Sequence, residues 1–144
     1  MQAFAYPARF ASDQDGRILV TFRDFPLGAT DGADHAEAMT EAADFLESVL
    51  ADYVHEGRDV PPPSNLRRSE ILVSPSAVTA AQLALYTAMR RENVSPKELA
   101  KRLTLPVAEV RQLTNLGNYP PLETIERALA ALGHRLTVAL DAAE

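Results

Sequence analysis

A chain of 144 residues allows one ordinary domain or two small ones. Its apolar content of 47% is enough for a packed core and argues against a disordered chain. With no cysteine it has neither a disulfide framework nor a thiolate metal site. His35, His55 and His134 are scattered and show no metal-ligand spacing, so no metal, cofactor or catalytic residue is expected. No secretory signal and no membrane-length apolar run are visible, which makes a cytoplasmic protein the expectation. The net charge of −6 is unevenly spread. Residues 1–63 carry four arginines and no lysine against twelve acids, a net of −8; residues 64–144 carry ten Lys and Arg against eight acids, a net of +2. The first part repels nucleic acid and suits a basic protein partner, whereas the second tolerates nucleic acid.

Taken in order, Phe4, Tyr6 and Phe10 share one parity, and Ser12-Asp13-Gln14-Asp15-Gly16 has turn composition. Ile18, Val20 and Phe22 then alternate against Arg17, Leu19, Thr21 and Arg23, which predicts a β-hairpin. Phe25-Pro26-Leu27-Gly28 reads as a bend, with a short third strand at Ala29-Thr30. Asp34 with Glu37 resembles a capping box and opens a helix. Ala36, Met39, Ala43, Leu46, Leu50 and Tyr53 form its apolar stripe, and Glu37, Glu41, Asp44, Ser48 and Asp52 its outer face. Gly57 ends the helix, a Pro-rich connector occupies 60–64, and Ser69–Val73 is a strand that can return to the sheet. The result is a βββαβ unit with a domain boundary near 74–76, giving domains 1–74 and 75–144. Within the first, Glu37, Glu41 and Asp44 are the candidates for contact with a cationic partner.

Ser74 or Ser76 caps a helix running to about Asn93, with Val78, Gln82, Leu85, Tyr86 and Met89 on one side. Residues 95–133 are the most informative stretch. Ser95, Pro96 and Glu98 form a helix start, and Leu99, Ala100 and Leu103 face inward while Lys97, Lys101 and Arg102 face out. Thr104-Leu105-Pro106 interrupts the pattern, and a second helix runs from Pro106 to about Asn115 with Val107 or Ala108 inward at its start, then Val110 and Leu113. A third carries Leu122, Ile125, Leu129 and Leu132 and stops at Gly133. Two short helices around a tight turn, backed by a third, have the pattern of a helix-turn-helix DNA-binding unit. The candidate DNA contacts are Lys97 and Lys101 to phosphate and Val107, Ala108, Arg111, Gln112 and Asn115 in the groove. Leu136, Val138 and Leu140 alternate, so Arg135–Leu140 is expected as a short strand that pairs with the same strand of a second copy. The fold class is therefore α+β: an N-terminal βββαβ domain and an all-α helix-turn-helix domain ending in a strand.

These residues together resemble the HicB antitoxins of HicA–HicB toxin–antitoxin systems. The resemblance runs through Tyr6-Pro7-Ala8, Asp13-x-Asp15-Gly16, Val20-x-Phe22-x-Asp24-x-Pro26, Thr30-x-Gly32 and Glu37-Ala38 with Ala42. It continues through the Pro-rich connector, Val73-Ser74-Pro75, Leu83-Ala84-Leu85-Tyr86-x-Ala88-Met89-Arg90 and Glu98-Leu99-Ala100-x-Arg102-Leu103. It implies a partial RNase H-like N-terminal domain without catalytic activity, which binds a small basic RNA-cleaving toxin of the HicA type and covers its active site. It also implies repression of the operon by the helix-turn-helix, in a homodimer or tetramer. Thr104 stands where the family's turn usually carries glycine, and Pro106 where the next helix usually opens with serine. The first groove-facing positions thus become Val107 and Ala108.

Two other readings compete. Asp13, Asp15, Asp24 and Asp31 resemble a nuclease carboxylate set, but Asp13 and Asp15 flank a turn glycine and no acid interrupts the second strand. A stand-alone helix-turn-helix transcriptional regulator without a toxin partner is the alternative, distinguished by the absence of a neighbouring frame for a small basic protein.

Overall fold

The structure is a computed structural model that describes residues 3–142, so the two outermost positions at either end of the expected domains lie outside it. It is mixed α+β. Strands β1 (Tyr6–Ser12), β2 (Ile18–Phe22), β3 (Phe25–Gly32) and β4 (Glu70–Val73) make one antiparallel sheet in the order β3-β2-β1-β4. Helix α1 (His35–His55) lies between β3 and β4 in sequence, and α2 (Ala77–Arg91), α3 (Pro96–Leu103), α4 (Val107–Gln112) and α5 (Leu122–Ala131) follow.

The β1–β2 turn is closed by Asp13, whose Oδ1 accepts from the backbone N–H of Asp15 and Arg17, each at 2.9 Å. Gly16 takes φ +79° there, a region open to glycine. The register Ser12↔Ile18, Phe10↔Val20, Ala8↔Phe22 puts the alternating apolar residues on one face, where Val20 and Phe22 are buried while Leu19 on the other face is not. β3 begins at Phe25, directly after a two-residue turn and a bulge at Thr21/Phe22, so the expected bend over Phe25–Gly28 is strand instead. Pro26 signalled a bend, but β3 is an edge strand, where a missing N–H costs no ladder bond.

Helix α1 is capped as expected: Asp34 Oδ1 accepts from Glu37 N (2.8 Å) and Glu37 Oε2 accepts from Ala33 N (3.2 Å). Its buried residues are Ala38, Ala42, Leu46 and Leu50, four apart, and Ala36 is exposed. The apolar stripe is therefore rotated from the expected one, because the helix presents its alanines where it approaches the sheet most closely. The approach is close enough to require Gly32: a Cβ there would lie 2.7 Å from Ala38 Cα.

The connector between α1 and β4 is pinned on both sides. Buried Tyr6 donates its hydroxyl to Pro61 O at 2.8 Å, and burial pushes that phenol's pKa up. Ser64 donates both N–H and hydroxyl to the Asp24 carboxylate. Arg23 donates to Asn65 O (2.6 Å) and to both carboxylate oxygens of Glu70 (2.7 and 2.8 Å). Glu70 also accepts from Arg67 N, and the guanidinium with this amide holds its pKa down at about 2.

Ser76 caps α2, and Glu47 of α1 accepts from Ser76 N (2.6 Å) and Thr79 Oγ1 (2.7 Å), which ties the two helices together. Two apolar clusters result. Leu83 belongs to the sheet cluster, whereas Ala81, Leu85, Ala88 and Met89 belong to the cluster of α3, α4 and α5, so α2 contributes to both. Leu116, which follows α4, also sits in the sheet cluster. In α3, Ser95 Oγ accepts from Glu98 N at 3.1 Å, and Leu99, Ala100 and Leu103 are buried as expected.

The expected strand at Arg135–Leu140 does not form; residues 134–142 carry no regular structure. A strand exists only beside a hydrogen-bonded neighbour, and this segment joins neither edge of the β3-β2-β1-β4 sheet. Leu136 is half-buried against the helices, and Val138 and Leu140 are exposed.

Two stability measurements follow from this packing. Thr104 ends α3 in the left-handed region, at φ 55° and ψ 49°, which costs a non-glycine residue about 1–2 kcal/mol. Thr104→Gly is expected to stabilise the chain by about 0.5–1 kcal/mol, since glycine also loses more entropy on folding; chemical denaturation measures it. Glu70, with its carboxylate pKa depressed from an ordinary 4.5 to about 2, stabilises the fold fully above pH 4.5 and loses that contribution as the pH falls toward 2. Acid titration of wild type is expected to show a steeper loss over that window than titration of Glu70→Gln.

Candidate nucleic-acid and partner interfaces

The first candidate surface is built by α3, α4 and the turn between them. Leu99, Ala100 and Leu103 bury one side of α3, so Lys97 and Lys101, one turn apart, are exposed on the other. Neither makes an ion pair among the described residues, whereas Arg102 is drawn to Glu98 at 3.4 Å and to Ala131 O at 3.5 Å. The turn is closed by Leu105 N donating to Ala100 O at 3.1 Å, with Thr104 left-handed. Pro106 opens α4 without a side-chain cap; its carbonyl accepts from Glu109 N and Val110 N at 3.1 and 3.2 Å.

Val110 and Leu113 are each 1% exposed and hold α4 against α3 and α5. That fixes which way the rest of α4 points. Ala108, Arg111 and Gln112 share the opposite, exposed side at spacings of three and four. Arg111 makes no ion pair among the described residues, and Glu109 is exposed beside it. Val107 is half-buried against the helical cluster, so it offers only part of its surface. Asn115 differs from the expectation. α4 stops at Gln112, and Asn115 is half-buried with its amide engaged: Oδ1 faces His55 Nε2 at 3.1 Å, and Nδ2 donates to Gln112 Oε1 at 3.2 Å.

The sequence gives little sign of what lies beneath. Gln82 of α2 is fully buried, and its Nε2 donates to Asn115 O (3.2 Å) and Asn118 O (3.0 Å). Its position inside the apolar stripe of α2 was the available signal, because a buried amide needs partners. His55 carried none.

The second surface is the outer face of α1. Glu37 and Asp44 are exposed and Glu41 is half-buried, with Ser48 and Asp52 continuing the row. Glu37 already accepts from Ala33 N, leaving its carboxylate partly committed. The row ends beside a groove of about 310 Å³ between α1 and β3, lined by Phe25, Leu27, Phe45, Val49 and Tyr53, with the Arg58 guanidinium 4.0 Å above the Tyr53 ring. Leu27 is fully exposed at its lip. The four aspartates that resemble a nuclease set have other roles: Asp13 closes its turn, Asp31 pairs with Arg17 at 2.8 Å, Asp24 binds Ser64, and Asp15 is exposed in the turn. Among the described residues no helix is long and apolar enough to cross a membrane.

Residues 5–84 match the family described as HicB-like antitoxin of bacterial toxin–antitoxin systems. Antitoxin HicB of Escherichia coli K12 is 28% identical over 135 residues, 94% of this chain and 98% of that protein. Antitoxin HicB 2 of Photorhabdus laumondii is 33% identical over 131 residues, 91% of this chain and 92% of its own. Antitoxin HicB of Pseudomonas fluorescens Pf0-1 is 29% identical over 132 residues, 91% of this chain and 90% of its own. With a sheet and α1 that span the matched region and relatives that run on through the helices, this chain belongs to the HicB-like antitoxin family.

Proposed function

We propose that the protein is a cytoplasmic antitoxin that binds a HicA-type, RNA-cleaving toxin through its N-terminal sheet-and-helix domain and represses its own operon through α3–turn–α4. The family match over residues 5–84 carries this reading. The N-terminal domain (1–74) acts as a partial RNase H-like fold that occludes the toxin by contact and charge, without chemistry of its own. Its acidic balance and the α1 row of Glu37, Glu41 and Asp44 suit a cationic partner. The C-terminal domain (75–144) acts as a helix-turn-helix: α4 enters the major groove, Arg111 and Gln112 meet base edges, Ala108 and the exposed part of Val107 meet thymine methyls, and Lys97 and Lys101 meet phosphates. Residues 135–140 pair with the same segment of a second copy, which gives Val138 and Leu140 cover and builds the twofold dimer that a palindromic operator requires; dimers can associate further into tetramers.

Co-expression with the product of the adjacent reading frame, followed by affinity capture and sizing, tests the antitoxin reading; failure to capture a small basic protein leaves the stand-alone regulator. Reversing the acidic row (Glu37→Lys, Glu41→Lys, Asp44→Lys) is expected to weaken toxin capture at least tenfold and to lower its salt sensitivity, read by titration calorimetry. On DNA, Arg111→Ala is expected to cost about 1–3 kcal/mol of operator affinity. Lys97→Ala or Lys101→Ala is expected to weaken all sequences alike and to reduce the salt slope by about 1. Intact operator binding in Arg111→Ala would move the base-reading helix elsewhere.

A further inference from the structure

The amide of Gln112 is oriented from behind. Its Oε1 accepts from Asn115 Nδ2 at 3.2 Å and from Asn118 Nδ2 at 2.8 Å. A carboxamide oxygen has two acceptor sites, and both are filled. The two asparagines are themselves held. Asn115 Oδ1 faces His55 Nε2 at 3.1 Å, which leaves its Nδ2 for Gln112. Asn118 N donates to Asn115 O at 3.1 Å across a turn in which Gly117 has φ 93°. Gln82, fully buried, gives both amide hydrogens to the carbonyls of these two residues, and Leu116 between them is anchored in the sheet cluster. The turn at 115–118 is therefore fixed from below and from the side, and it holds the oxygen of Gln112 toward the protein. The Nε2 hydrogens are what Gln112 has left to offer outward.

We infer that Asn115 and Asn118 are positioning residues that make Gln112 a donor-only reader, selecting guanine over adenine in the major groove. A free glutamine reads adenine bidentately, accepting from N6 and donating to N7. With Oε1 consumed, the N6 amino group meets only another donor. Guanine presents acceptors at N7 and O6, and both suit the amide hydrogens. Asn115, a groove contact by its sequence position, instead acts through Gln112. The inference rests on the DNA-binding reading above, and it adds a base preference that this reading does not contain.

The test is selection by the full-length protein from duplex DNA with a randomised centre, comparing wild type, the double variant Asn115→Ala/Asn118→Ala, and Gln112→Glu. Wild type is expected to enrich guanine over adenine at one position of each half-site. In the double variant Gln112 regains its oxygen, and the preference at that position is expected to move toward adenine by about fivefold, the worth of one hydrogen bond. Gln112→Glu keeps an oxygen for both asparagines and turns the outward group into an acceptor, so cytosine, with its N4 donor, is expected there. An unchanged preference in both variants, or a uniform loss of affinity with the same base order, overturns the inference while leaving DNA binding intact. Enrichment of no sequence by wild type overturns the DNA-binding reading, and this inference with it.

Discussion

The side chain of Gln82 is fully buried where α2 passes between the two apolar clusters, and both its amide hydrogens go to carbonyls of the segment after α4. Those carbonyls lie at the seam between the clusters and would otherwise depend on water. Leu116 in the sheet cluster and Leu113 in the helical one flank the same segment, so its path is set from both sides. Moving the segment means breaking two hydrogen bonds in a low-dielectric interior and exposing a leucine, a combination that favours one position. Where the chain goes on leaving α4 is therefore fixed, while Val110 and Leu113 set the side that α4 shows to solvent. The Gln82 Oε1 atom has no hydrogen-bond partner among the described residues, so the amide is retained at a cost that an apolar side chain would not incur.

The same seam joins the two halves whose charges differ. The acidic α1 ends at His55, within 3.1 Å of Asn115, and Glu47 of α1 holds the first turn of α2. The contacts through His55, Gln82 and Leu116 fix the acidic sheet-and-helix half against the end of α4, and the exposed side of α4 that carries Arg111 stays clear of them.

Most of the fold was legible because its signals are local. Asp34 and Ser95 cap the helices they were expected to cap, Ser76 rather than Ser74 caps α2, and the alternation of Ile18, Val20 and Phe22 gives the strand and its buried face. What was not legible depends on neighbours. Whether Pro26 breaks a strand depends on whether that strand lies at an edge. Which stripe of α1 is buried depends on how closely the helix can approach, and two alanines with Gly32 decided it. Residues 135–140 alternate like a strand, but alternation supplies no partner. Lys97, Lys101, Arg111 and Gln112 were placed on an exposed surface by periodicity alone, because Leu99, Leu103, Val110 and Leu113 fix the opposite side, whereas periodicity left open which of Val107 and Ala108 turns inward, and Val107 is the one that packs. The second of the two short helices was carried three residues too far, to Asn115, and an amide's partners sixty residues away leave no trace in spacing.

Thr104 shows how far packing can override local preference. A β-branched residue is poorly suited to the left-handed region, yet the turn has the same form that glycine would take freely. Leu103 is buried before it, Leu105 packs after it, and Leu105 N closes on Ala100 O at 3.1 Å, so the direction of the chain is fixed on both sides of one strained residue. Pro106 then denies Leu105 the helical conformation and stops α3 from continuing, while its own carbonyl starts α4. The angle between the two helices is thus set by Leu103, Leu105 and Val110 against one core and by a proline that forbids the alternative. A turn specified in this way holds its geometry through side chains the helices already need, which is why it can dispense with the glycine.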